Sequence, residues 1–101
     1  MAEVLCAANA KIKKYYFNPL FDKIPDEYQK KLQVLAVETA EKLDGIFIIR
    51  FNETDRPEFV TESVADEKKA DEVIRELQEK EETFMEQLTM FYKVFVLELK
   101  E

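Results

Sequence analysis

Histidine and tryptophan are absent from this chain of 101 residues, and glycine and cysteine occur once each. Without histidine there is no Ser–His or Cys–His pair and no imidazole metal ligand. A single cysteine, Cys6, excludes a thiolate cluster and an intrachain disulfide. A single glycine, Gly45, excludes a glycine-rich phosphate loop. No apolar run approaches the ~20 residues of a membrane span. Met1–Ala10 is mildly apolar, but Lys11, Lys13 and Lys14 follow it rather than precede it, which is the wrong order for a secretion signal.

What is present describes a small folded domain. The length suits a single domain over residues 1–101. Hydrophobic residues make up 47% of the chain, with eight Phe and four Tyr, too many aromatics for a disordered segment. Charged residues reach 37%, which points to long solvated helices. Cys6 is read as a small buried hydrophobe in a reducing compartment, so a cytoplasmic protein is expected.

The net charge of −7 is uneven. Residues 1–31 carry six basic and four acidic side chains, whereas residues 32–101 carry nine and eighteen. Direct nucleic-acid binding through phosphate neutralisation is not expected of such a surface.

Along the chain, residues 3–17 fit either a strand or a helix. Leu5, Ala8, Ile12 and Tyr15 make a helical stripe, while Val4–Ala8 reads equally as a short strand and Tyr15-Tyr16-Phe17 has strand propensity. Pro19 directs Asn18 into extended geometry. A helix is predicted from Pro25, with Asp26 and Glu27 in its first turn and a stripe of Leu32, Leu35, Ala36, Thr39, Ala40 and Leu43. Gly45 follows at the place of a left-handed C-cap. Ile46–Asn52 is the strongest strand, apolar on both faces and therefore central. Glu53–Pro57 reads as a turn and Phe59–Val64 as a weaker strand nearer an edge, so the two strands form a hairpin.

From Asp66 onward there is neither Gly nor Pro. Ala70, Ile74, Leu77, Glu81, Phe84, Leu88, Phe91 and Phe95 recur at alternating steps of four and three, a heptad-like seam with one charged member. A continuous helix to about Leu97 is expected. At about thirty residues it would span roughly 45 Å, so its charged first half should overhang the domain. The seam residues Ile74, Leu77, Glu81, Phe84, Leu88, Phe91 and Phe95 are thus core or a homodimer interface. Glu81 is costly in a dry seam unless paired.

Two further constellations are weighed. The acid pairs Asp66-Glu67, Asp71-Glu72 and Glu81-Glu82 lack the spacing and loop glycine of a calcium site and read as a solvated helix face. Tyr15, Tyr16, Phe17 and Phe21 beside Lys11, Lys13 and Lys14 form a candidate partner patch, whose plainest reading is packing onto the domain.

VLCAAN near the N-terminus, KKYYFNPLFDKIP, DGIFIIRF and a late MFYKVFVL occur in that order. This arrangement resembles a family of small uncharacterised proteins, a domain of unknown function from anaerobic Gram-positive bacteria. The family pattern has glycine at the positions of Ala7 and Asp44, where this chain departs. The resemblance implies no activity, substrate or site.

The expected fold is α+β: an N-terminal extended segment, a helix, a β-hairpin and a long C-terminal helix packed on one sheet face. The expected function is a non-enzymatic interaction or assembly module that binds a protein partner, with no cofactor, no metal and no membrane. The alternative is an acidic inhibitor that mimics nucleic acid. An enzyme working with carboxylates or tyrosines alone has no residue pair whose spacing specifies a site.

Overall fold

The computed structural model describes residues 3–94. They form a mixed α/β fold of four antiparallel strands and three helices. The ambiguous N-terminal segment resolves as a hairpin of β1 (Glu3–Asn9) and β2 (Lys14–Phe17). Asn9 builds the turn: its Oδ1 accepts from Lys11 N at 2.9 Å and Ile12 N at 3.4 Å, and Lys13 takes a left-handed φ of 51°. Asn18 is extended ahead of Pro19 and tethers the hairpin, its Nδ2 donating to the Val4 carbonyl at 2.7 Å and its N–H to the Leu5 carbonyl at 2.9 Å. A single 3-10 turn at Pro19–Phe21 then drops Phe21 into the core.

Helix α1 (Asp26–Leu43) follows the predicted bounds, and Leu32, Ala36, Thr39, Ala40 and Leu43 form its buried stripe. Its end differs from expectation. The left-handed C-cap is Asp44, with φ 50°, and Gly45 is not at positive φ. Gly45 is required for space instead. A Cβ there would lie 2.9 Å from the carbonyl oxygens of Glu62 and Ser63 and from the Cα of Val64.

Strand β3 (Ile46–Phe51) is central as expected, and β4 (Pro57–Glu62) starts two residues earlier than the predicted Phe59. The reason is a tight turn in which Asn52 Oδ1 accepts from the Thr54 and Arg56 N–H groups at 2.9 and 3.1 Å. That turn closes by Arg56, and Pro57 becomes the first residue of an edge strand, where its missing N–H is tolerated.

The strand order is β2-β1-β3-β4. A bulge between Val4 and Cys6 interrupts the β1–β3 register and buries Leu5 and Cys6 in succession.

The long C-terminal helix is replaced by two shorter ones, α2 (Glu67–Lys80) and α3 (Glu82–Tyr92). Asp66 caps α2, its Oδ1 accepting from the Lys68 and Lys69 N–H groups at 3.0 and 3.2 Å. The break falls at Glu81, where φ −107° and ψ 21° leave the helical region. The two halves also divide their buried residues between two apolar clusters, although Ile74 and Leu77 of α2 reach the main core from its edge. Ala70 and Val73 of α2 bury against Leu43, and Phe84, Met85, Leu88 and Tyr92 of α3 join the main core. The charged first half therefore packs on the end of α1 instead of overhanging.

The core lies between one sheet face and helices α1 and α3. Phe51 and Tyr92 stack with ring centroids 4.0 Å apart and planes 7° from parallel. Phe21 flanks both rings at 5.7 and 5.9 Å, and Phe47 meets Phe59 at 5.4 Å. Such contacts contribute about 0.5–1.5 kcal/mol each beyond the area they bury.

Candidate interaction surface

The seam residues are spent mostly inside the chain. Phe84 and Leu88 are buried in the core, and Ile74, Leu77 and Phe91 pack half-buried against it. Phe95 lies outside the described residues. Glu81 is paired: its Oε2 lies 3.1 Å from Lys31 Nζ, which sits 4.4 Å from the centre of the Phe84 ring.

The aromatic patch is divided by strand alternation. Tyr15 and Phe17 point from β2 toward the core, and Phe21 is fully buried within it. Tyr16 alone points the other way and is 51% exposed.

Tyr16 belongs to a surface that the sequence reasoning did not assemble. Helices α1 and α3 cover the face carrying Phe47, Ile49, Phe51 and Phe59, and among the described residues no helix covers the opposite face. The register places Tyr16, Ala7, Ile48 and Val60 side by side in one apolar row crossing all four strands. Beside it runs a second row of Lys14, Asn9, Ile46 and Glu62, basic at the β2 edge and acidic at the β4 edge. On the other side Val4 neighbours Arg50, whose Nε donates to Glu58 Oε1 at 2.6 Å. The neutralised pair and the apolar row leave the centre of this face without free charge. The signal was present in the alternation of Ile46, Ile48 and Arg50, but pairing those residues with Ala7 and Tyr16 required the β1–β3 register.

The reactive groups are elsewhere and sequestered. Cys6 is fully buried, and burial pushes its thiol up to about 12. Burial also raises Tyr15, and the neighbouring Cys6 thiol adds to the rise; among the described residues no group meets its buried hydroxyl with good hydrogen-bond geometry. Tyr92 is raised by burial and then by the nearby Asp55 and Glu3 charges. None of the three is poised as a nucleophile or base near neutral pH. Among the described residues no three Cys, Asp or Glu side chains converge as metal ligands, and no helix is long and apolar enough to cross a membrane.

Fold and surface together define a two-layer α+β protein with helices on one sheet face and an apolar-centred second face that no helix among the described residues covers. The chain belongs to the DUF6145 family, a family of unknown function, whose sequence profile matches residues 2–100. Comparison with curated proteins and with solved structures gives no match.

Proposed function

We propose that this chain is a non-enzymatic protein-binding module whose contact surface is the uncovered sheet face. The observation that carries the reading is the row Tyr16–Ala7–Ile48–Val60, which puts apolar side chains on all four strands on the side away from the core. Antiparallel sheets tolerate one solvated face, but that face is ordinarily polar. A contiguous apolar centre with charges at its edges is the pattern of a protein contact.

The acidic-mimic alternative rests on the charge of residues 32–101. The exposed side of α2 supports it poorly, since Glu67, Asp71, Glu72, Glu76 and Glu79 are interleaved with Lys68, Lys69, Arg75 and Lys80. A phosphate mimic needs one sign over a continuous stretch.

The test compares the wild type with Ile48→Glu and with a control on α2, Glu79→Lys, in quantitative affinity capture, with thermal unfolding as a check on folding. The reading expects proteins retained by the wild type and by Glu79→Lys and lost with Ile48→Glu. Partners indifferent to Ile48→Glu, or saturable turnover of a substrate by the purified chain, would overturn it.

A further inference from the structure

The sheet face that no helix among the described residues covers is complementary to itself, and we infer that its occupant is a second copy of this chain, seated face to face about a two-fold axis running along the strands. The inference rests on the reading of this face as a protein contact and commits it to one partner.

The choice of axis follows from the register. A two-fold along the strands places β2 of one copy over β4 of the other and keeps each cross-strand row opposite itself. Lys14 then opposes Glu62 of the second copy, twice by symmetry, and among the described residues neither makes an ion pair within its own chain. In the apolar row Ile48 opposes Ala7, so a large side chain meets a small one at both central positions, and Tyr16 opposes Val60. The other in-plane two-fold, across the strands, lays β4 on β4 and sets Glu58 and Glu62 against acids of the same strand, a like-charge contact that opposes association. The favoured axis gives the aligned arrangement of a β-sandwich, with sheets about 10 Å apart and strands within about 30° of each other.

Four strands of about six residues present a face of roughly 19 by 20 Å. At about 380 Å² per partner this lies below the roughly 800 Å² of a standard specific interface, the size of a weak, reversible dimer and not an obligate one. The partner's sheet would also cover Tyr16, the most exposed large apolar residue on this face.

Sedimentation velocity on the full chain from roughly 1 μM to 1 mM tests the inference. The expected result is a monomer–dimer equilibrium whose mass doubles within that range. Ile48→Glu should hold the protein monomeric with its unfolding temperature retained. Lys14→Glu and Glu62→Lys should each weaken the dimer by roughly tenfold, since each swap turns two attractions into two repulsions. The double variant should restore it. Monomer at every concentration overturns the inference, as does a dimer indifferent to Ile48→Glu. A dimer that both single swaps weaken and the double swap fails to restore overturns the axis. A monomer whose binding to a different protein is abolished by Ile48→Glu removes this inference and leaves the binding-module reading standing. A dimer alongside captured proteins indifferent to Ile48→Glu does the reverse.

Discussion

Lys31 reaches across from α1 to Glu81 at the break between α2 and α3, with Nζ 3.1 Å from Oε2. The acid is nearly covered, at 12% side-chain exposure, and the ammonium is half in solvent at 49%. The one charged member of the apolar seam is thus neutralised within its own chain, at the point where the helix changes direction. A pair with one partner this exposed contributes under about 1 kcal/mol.

Glu81→Leu follows from that geometry. If the seam joined two chains, the substitution would strengthen self-association. With the seam packed inside one chain, it removes a weak ion pair and adds apolar surface beside Leu77 and Phe84. The expected outcome is a mass-against-concentration curve identical to that of the wild type, with stability unchanged or raised by about 1 kcal/mol. Light scattering and thermal unfolding check it, and a shift toward larger mass would return the seam to an intermolecular role.

The end of α1 makes two opposite predictions at adjacent residues. Gly45→Ala forces a Cβ to within 2.9 Å of three backbone atoms at the end of β4 and just after it, which cannot move aside as a side chain does. Overpacking of this kind costs about 1–3 kcal/mol. Asp44→Gly relieves a left-handed φ of 50° and should add up to about 1 kcal/mol. Chemical denaturation of both variants separates steric from conformational need. A stabilised Gly45→Ala would contradict the close approach.

Those two residues also show what could be read beforehand. Helix α1 and strand β3 were legible because their periodicities are long and their boundaries carry Pro25 and Gly45. The need for a left-handed residue at the helix end was legible too, but its assignment to Gly45 depended on not knowing how closely the chain passes after β4. The N-terminal hairpin stayed ambiguous because Ala7 and Ala8 suit either period. The break at Glu81 has neither Gly nor Pro to announce it; its local mark is the single charge that interrupts the apolar seam. It lies between the residues buried beside Leu43 and those buried in the main core with the Phe51–Tyr92 stack. Similarly, β3 is apolar on both faces, which hid the fact that helices among the described residues cover only one.

Tyr15→Phe tests the orphaned hydroxyl. A buried polar group without a partner costs about 1–3 kcal/mol relative to a satisfied one. Removing the oxygen while keeping the ring should leave stability unchanged or raise it by about 1 kcal/mol. A loss of that size by urea denaturation would show that the hydroxyl is bonded in solution, with the Cys6 thiol beside it the first candidate acceptor.

Cys6 governs the onset of alkaline unfolding. Burial raises its thiol from 9.0 to about 12, so the folded state holds a proton that the unfolded chain releases. The unfolded state then binds fewer protons than the native one above pH 9, and stability must fall as pH rises. This contribution is fully present below pH 9 and is lost progressively between pH 9 and about 12, at up to about 1.4 kcal/mol per pH unit. Tyr15 and Tyr92 are raised as well, but from 10.0, so they add a smaller slope between pH 9 and 10 and a larger one above it. Cys6→Ala lowers stability at every pH by the methyl-sized cavity it leaves, and that offset is independent of pH. The diagnostic is the slope: between pH 9 and 10 the variant's stability, measured by urea denaturation, should decline less steeply than the wild type's, because only the tyrosines still contribute. Parallel curves for the two proteins would mean that the thiol is accessible to solvent and that the bulge at Leu5 does not seal it.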